Sequence, residues 1–414
     1  MAEPVAARAA SEFPARLAPT RWALLTGNFA IGCGVMVVPG TLNDLARSLA
    51  VPVGVAGQLI SIAAVVMCFG APLLAGLVSG WDRRRLLVLA LAWYGIGHLL
   101  SAAMPDYVAL AVVRAVTVLG AAVFTPQAAA AVGFMAAPAE RGRAITFIFL
   151  GWSIASVLGM PLGSWIGETF GWAAAFGAVG ALALAAAAWL WLAMPDGVRP
   201  AALSVAAWKD VFTHPVLMAI VLVTALQGAG QFTLFSYFAP YYKDRLGAGP
   251  TEISLLFLWF GAFGFVGNAV LARFIDGIGA ARAVLALMGS IMLSLLLWPL
   301  AGGFASTAAV LVPWALGCFA ANSAQQARLG AAAPALAAAL MALNTSAIYL
   351  GQALGAAGGG WLLGHYGYAP LSWAGVAWML VAIGLSLWAE RRMHAVLPRP
   401  SRERAGARGD RGRG

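Results

Sequence analysis

Charge is what this 414-residue sequence has least of: Asp, Glu, Lys and Arg make up 10% of it, while 62% is hydrophobic. A soluble domain carries about 25% charged and about 45–50% apolar residues. Water cannot cover so much apolar surface, so the excess must face lipid or other buried helices, and a soluble enzyme is excluded. Cysteine is scarce as well. The 3 present, Cys33, Cys68 and Cys318, lie inside apolar runs without C-x-x-C or Cys/His spacing, which argues against a disulfide framework or a zinc site. The 4 histidines, at 98, 214, 365 and 394, show no ligand spacing either. There is no G-x-x-x-x-G-K-[ST] loop, so a pump driven directly by ATP is disfavoured. Nor is there a nucleophile–base–acid set or a metal cluster, so neither catalysis nor a cofactor is expected. Acids are outnumbered by bases, leaving a net charge of +10. That excess would suit nucleic acid, but its placement along the chain gives it another meaning.

What the sequence has in plenty is long apolar runs. A membrane-crossing helix needs about 17–25 mostly apolar residues. Twelve spans are expected, near Trp22–Val38, Val55–Leu77, Leu86–Ala103, Tyr107–Val132, Ala144–Ile166 and Ala173–Met194, then Val216–Tyr237, Ile253–Leu271, Ala283–Leu300, Ala308–Ala321, Ala335–Leu363 and Leu371–Trp388. Between the two sets lies a polar stretch with Asp196, Arg199, Lys209 and Asp210. The expected organisation is an N-terminal tail over residues 1–21, a six-helix bundle over 22–194, a linker over 195–214, a second six-helix bundle over 215–390 and a basic disordered tail over 391–414. Bundles in parallel repeat are an established transporter plan. An internal echo supports duplication: the loop after span 2 contains Asp82-Arg83-Arg84-Arg85, and the loop after span 8 contains Asp276, Gly279 and Arg282.

With the N-terminus in the cytoplasm, all of the 25 Lys and Arg except Arg47, Lys243, Arg245 and the intramembrane Arg114 fall on the cytoplasmic side. The basic excess is therefore a topology signal, and both termini are expected in the cytoplasm. Trp22, Trp81, Trp172, Trp361 and Trp388 near span ends fit interfacial anchoring. The arginine-rich tail from Ser401 to Gly414 suits anionic lipid at about 1 kcal/mol per basic residue. An RNA-binding arginine–glycine segment is the sharper and less favoured reading, and nucleic acid is not an expected partner.

Polar residues inside the spans are few, which makes each a candidate. Arg114 in span 4 lies about seven residues, roughly 10 Å, from the outer end. An arginine there costs at least about 2.5 kcal/mol unless it meets water or a partner. A central cavity is the functional reading; a snorkelling or purely structural arginine is the other. Asp44, beyond Pro39-Gly40, which should bend or end span 1, is either a solvated loop aspartate or the partner that meets Arg114 when the outer side closes. Asn28, Thr117, Gln127, Gln231, Asn322, Gln325 and Asn344, with Phe235, Tyr237 and Tyr349, could line a cavity for neutral, partly aromatic solutes. Interhelical hydrogen bonding or packing is the competing role of each. In span 5, Gly159, Pro161 and Gly163, continued by Gly167, give small residues at four-residue spacing and a proline that frees a backbone carbonyl. This suits tight packing or a pivot between halves. Span 11 repeats the theme with Gly351, Gly355 and Gly358-Gly359-Gly360.

These motifs resemble the major facilitator superfamily, and within it the bacterial twelve-helix drug/proton antiporters of the arabinose and chloramphenicol efflux type. The resemblance runs from about Trp22 to Arg392. Asp82-Arg83-Arg84-Arg85 is similar to the signature between helices 2 and 3, Arg114 with Gly120 to the motif of helix 4, and Gly159-x-Pro161-x-Gly163 to the antiporter motif of helix 5. The runs 231–240 and 344–355 resemble helices 7 and 11 of such efflux proteins. Gly80 and Ala272 depart from the loop signatures, and Val35 stands in a stretch of helix 1 where many relatives carry an acid. The resemblance implies an all-α fold of two six-helix bundles. It also implies a gating latch built on Asp82, Arg83, Arg84 and Arg85 with Asp276, Gly279 and Arg282. The expected function is export of a small organic solute (drug-like, sugar or nucleoside) across a bacterial inner membrane by alternating access, in exchange for protons, by a monomer. Proton-coupled uptake, a facilitator, a membrane receptor and a membrane-embedded enzyme are the rivals.

Overall fold

The computed structural model describes residues 14–396 except 79, 138–139, 200–204 and 334–335. The expected N-terminal tail up to residue 13 and the arginine-rich tail from 397 onward lie outside the described residues. Every regular element among the described residues is helical.

Span 1 is a single helix, Pro14–Ser48, so it begins earlier than expected and does not end at Pro39-Gly40. Proline costs a helix one backbone hydrogen bond. Here that cost is met by packing, because a Cβ on Gly40 would lie 3.2 Å from the carbonyl of Met160 and from the amide of Ser164. The glycine serves the close approach of spans 1 and 5 rather than a turn. Spans 2, 3 and 4 are the helices Val53–Leu77, Arg83–Ala102 and Tyr107–Met135. Span 5 is composite: Arg141–Ile154, one π-helical turn Ala155–Gly159, then Met160–Phe170. The π turn sits directly before Pro161, whose missing N–H frees a carbonyl that wider winding accommodates. Span 6 is Trp172–Ala193. A short helix, Val205–Thr213, lies in the linker.

Span 7 divides into Pro215–Phe235 and Phe238–Leu246. Spans 8 and 9 are Pro250–Ile278 and Ala280–Leu297, joined at Gly279, whose φ of +86° suits a residue without a side chain. Span 10 is Phe304–Ala332, much longer than expected, so Arg328 lies inside the helix rather than in a loop. Spans 11 and 12 are Ala337–Tyr366 and Ala369–Val396, which places 391–396, expected in the disordered tail, in a helix. Among the described residues 11 helices are long and apolar enough to cross a membrane by length and composition. Span 11 is the helix outside that set; its glycines and the polar Asn344, Thr345, Ser346 and Gln352 dilute an otherwise uncharged 30-residue helix.

The packing repeats between halves. Span 5 lies against span 1 through small residues about two turns apart: Cβ atoms on Gly151, Gly159 and Gly167 would meet the Leu25 carbonyl at 2.2 Å, the Cys33 sulfur at 3.0 Å and the Thr41 methyl at 2.5 Å. Span 11 lies against span 7 through glycines one turn apart, where Cβ atoms on Gly351, Gly355 and Gly359 would meet the carbonyls of Ala225, Ala229 and Thr233 at 2.3, 2.6 and 2.2 Å. In lipid, where helices gain little from the hydrophobic effect, such approach is what van der Waals association requires. The antiporter-motif glycines therefore seat span 5 on span 1 of the same half, while the same segment of span 5 also meets span 8 of the other half.

Between the halves, span 2 packs on span 11 and span 5 on span 8. At the latter crossing a Cβ on Gly261 would lie 2.6 Å from the Val157 Cα. Outward, Phe69, Leu73, Val108, Leu192 and Leu380 are all more than half exposed, an apolar girdle that water would not tolerate but hydrocarbon does. Trp22, Trp81, Trp361 and Trp388 are exposed, whereas Trp172 is buried at 7%.

Candidate functional site at the interface of the halves

An even number of crossings brings both ends of the described chain to one side, here the terminal side; the opposite face is the far side. On the far side the halves meet closely. A Cβ on Gly54 of span 2 would lie 2.6 Å from the Gly360 carbonyl of span 11, and one on Gly57 would lie 2.4 Å from the Tyr237 hydroxyl of span 7. Lys243 at the end of span 7 pairs with Glu168 at the end of span 5 at 3.2 Å. Tyr237, fully buried, donates a hydrogen bond to the Ala356 carbonyl at 2.6 Å, which braces the split of span 7 against span 11.

Beneath this closure lies a small void between the halves. It is lined by Val35, Ile60, Ala63, Met67, Arg114 and Val118 of the first half and by Tyr349 and Gln352 of the second, with about 10 Å³ free, room for one water-sized occupant. Arg114 is 2% exposed. Its Nη2 donates to the Gly34 carbonyl at 3.1 Å, and its guanidinium lies 5.7 Å from the centre of the Phe176 ring. Its Nε and Nη1 have no hydrogen-bond partner. Tyr94 and His98 of span 3 stand beside it across Gly34: a Cβ there would lie 2.2 Å from the Tyr94 hydroxyl and 2.8 Å from His98 Nε2. Glycine at 34 therefore lets an arginine, a tyrosine and a histidine crowd one stretch of span 1, Arg114 on the Gly34 carbonyl and the Tyr94 hydroxyl on the Ile31 carbonyl at 3.2 Å.

Asp44 is not brought to Arg114, although the far side is closed. It lies inside the span 1 helix and is buried at 3%. Its Oδ2 accepts from the backbone N–H of Trp172 at 2.6 Å and its Oδ1 from Arg47. It neutralises the positive end of span 6, so its charge is already engaged.

Most of the other candidate polar groups brace helices within one half. Asn28 Nδ2 donates to the Ile148 carbonyl at 3.1 Å, tying span 1 to span 5. Thr117 donates to the Val113 carbonyl one turn back at 2.7 Å. Gln325 Nε2 donates to the Ile220 carbonyl at 2.7 Å, and Thr224 donates to Asn344 Oδ1 at 2.7 Å. Gln231 Oε1 accepts from Trp314 Nε1 at 3.2 Å. Phe235 belongs to a cluster with Phe232, Phe238 and Phe260, its ring centre 5.2 Å from those of Phe232 and Phe238. Gln127 is buried and Asn322 half-buried. Arg114 and Tyr349 alone of the sequence-derived cavity set line the void. Gln352, which joins them, is three residues past Tyr349 and so shares its helix face; that spacing was the available signal.

The contacts of Asp82 and Arg84 also lie within the first half. Asp82 caps span 3, accepting from Arg84 N at 3.0 Å, and accepts from Gly197 N beyond span 6 at 2.6 Å. Arg84 donates to the Trp191 carbonyl at 3.0 Å, pairs with Asp196 at 2.7 Å and stacks 4.2 Å over the Trp191 ring. Arg83 is buried and donates to the carbonyls of Val78 and Trp81 at 3.2 and 2.8 Å. Arg85 is exposed. In the second half Arg282 is exposed, and the side chain of Asp276 lies outside the described residues. Of the residues expected to form a latch, Asp82 and Arg84 thus fasten span 3 to the end of span 6 in this arrangement.

Two bundles of membrane-crossing helices, sealed against each other on one face with a charged site at their interface, define a transporter fold. The chain matches the family model of the Major Facilitator Superfamily over residues 24–347 and belongs to that superfamily. It is 30% identical over 360 residues to the inner membrane transport protein YdhP of Escherichia coli K12, covering 86% of this chain and 92% of that protein. It is 34% identical over 272 residues to the chloramphenicol resistance protein of Streptomyces lividans, covering 64% and 68%. A probable sugar efflux transporter of Pasteurella multocida is 29% identical over 350 residues, 84% of this chain and 85% of that one. A solved D-xylose-proton symporter superposes with a TM-score of 0.71 at 17% identity, over 89% of this chain and 96% of that chain, a likeness of fold alone. The chain is a multi-pass inner membrane transporter of small solutes.

Proposed function

We propose that this protein exports a small organic solute out of the cytoplasm by alternating access, in exchange for protons, as a monomer with both termini on the cytoplasmic side. The observation that carries the reading is the far-side closure over the Arg114 void. Glycine contacts and the Lys243–Glu168 pair join the halves there, and small-residue seams within each half let the bundles move as units. Closure on one face is one of the two arrangements that alternating access requires. The charge bias across the membrane favours the cytoplasmic assignment of the terminal side. The efflux names among the relatives, and the antiporter-motif glycines in span 5, favour export. Arg114 is the charge about which solute and proton are coordinated, and the loop set of Asp82, Arg83, Arg84, Arg85, Asp276, Gly279 and Arg282 is the latch that would join the halves when the terminal side closes.

The test is transport in inside-out vesicles under an imposed proton gradient, with a panel of drug-like, sugar, nucleoside and acidic solutes and Arg114→Ala as the control. Gradient-driven accumulation that the variant loses is the expected result. Exchange indifferent to the gradient would leave a facilitator and dismiss proton coupling.

A further inference from the structure

Arg114 places a full positive charge in the apolar interior, yet no acid among the described residues pairs with it. Ion pairs join Asp44 to Arg47, Arg84 to Asp196, Lys243 to Glu168 and Arg328 to Glu390, and none of these includes Arg114. The span 1 residue that lines the void beside it is Val35. A guanidinium has five N–H donors. One bond, to the Gly34 carbonyl, is made, while Nε and Nη1 are shut away from solvent without partners. Buried charge of this kind is retained where something pairs with it. The open direction is the void between the halves. Across it stand Tyr349 and Gln352, groups able to donate to or orient an oxygen, while Val35, Ile60, Ala63 and Met67 form apolar walls.

We propose that Arg114 is the receptor for a carboxylate on the transported solute, so that the cargo is a small organic acid whose own charge completes the ion pair that span 1 does not provide. The inference rests on the export reading above and names its substrate class. The planar guanidinium matches a carboxylate with two parallel hydrogen bonds, which a lysine ammonium cannot. Tyr349 and Gln352 belong to the second half, so an anion held by Arg114 touches both halves and draws them together. The void admits only a water-sized occupant in this arrangement, so the carboxylate enters when the halves separate. An inside-negative membrane potential drives an anion outward, which agrees with export.

The experiment is the thermal unfolding midpoint of the purified full chain, titrated with sodium acetate, benzoate and octanoate, against sodium chloride and neutral benzamide at equal concentrations. At least one carboxylate is expected to raise the midpoint saturably. Chloride and benzamide should not, Arg114→Gln should bind that carboxylate at least about tenfold more weakly, and Arg114→Lys should fall between. If the variants do not fold, the wild-type contrast of benzoate with benzamide and chloride decides. A response to chloride equal to that of the carboxylates, no response to any carboxylate, or unchanged affinity in Arg114→Gln would each overturn the proposal. Because the readout needs no gradient, absence of gradient-driven export would sink the transport reading and leave this result standing, and the reverse also holds.

Discussion

Far-side closure includes one contact that can be blocked with a single methyl group. A Cβ at Gly54 would sit 2.6 Å from the carbonyl oxygen of Gly360 and 3.3 Å from its carbon. Both are backbone atoms, so no rotamer change relieves the clash, and span 2 and span 11 must separate. Overpacking of this kind costs about 1–3 kcal/mol, which corresponds to a roughly 5–150-fold shift between two states. Gly54→Ala is therefore expected to move the population away from the far-side-closed arrangement while each half stays folded. Nitroxides at Ser48 and Tyr366, exposed at the far-side ends of spans 1 and 11, report the separation in a background where Cys33, Cys68 and Cys318 are replaced by alanine. The wild type should show the shorter distance and Gly54→Ala a longer one, with slower turnover because one leg of the cycle is disfavoured. Gly177→Ala is the control: it lies within the span 6 helix, where an added Cβ meets nothing within 4 Å. An unchanged distance distribution and unchanged turnover in Gly54→Ala would refute the view that this contact seals the far side.

Two further outcomes follow from buried polar groups. Thr224→Val removes the 2.7 Å bond to Asn344 and leaves a fully buried amide without it; intramembrane bonds average about 0.6 kcal/mol and reach about 1.7, so the unfolding midpoint should fall modestly and Thr224→Ser should restore it. Tyr368, in the loop before span 12, donates to Asp244 at 2.8 Å. Burial, then that carboxylate, hold its hydroxyl well above the usual phenol range. A raised folded value means the contribution is fully present below about pH 10, where the unfolded phenol titrates, and is lost as pH rises further. Stability measured from pH 9 to 11.5 should decline more steeply in the wild type than in Tyr368→Phe, and identical slopes would contradict it.

Composition and apolar run length determined the membrane class and the number of helices, because twenty-odd residues without charge have one stable fate in a bilayer. The glycine spacing in spans 5 and 11 was equally plain, since side-chain periodicity is local. Which helix each stripe met was not, because sequence spacing names a face and not its neighbour. Only tertiary structure seated Gly159, Gly163 and Gly167 on span 1 and set the same segment of span 5 against span 8. Helix ends depended on it too: Pro39 reads as a breaker, yet packing of Gly40 on span 5 carries span 1 through to Ser48. The site shows the same division. Arg114 stood out in the sequence because an arginine inside a span demands compensation. Its surroundings did not, since Gly34, Tyr94, His98, Tyr349 and Gln352 come from three other spans and converge only on folding. Asp44, drawn toward Arg114 by sequence logic alone, is held by the N-terminus of span 6, and Asn28, Gln325 and Asn344 satisfy neighbouring helices. A buried polar group takes the nearest partner that tertiary packing offers, and which group is left facing the void is decided by the fold.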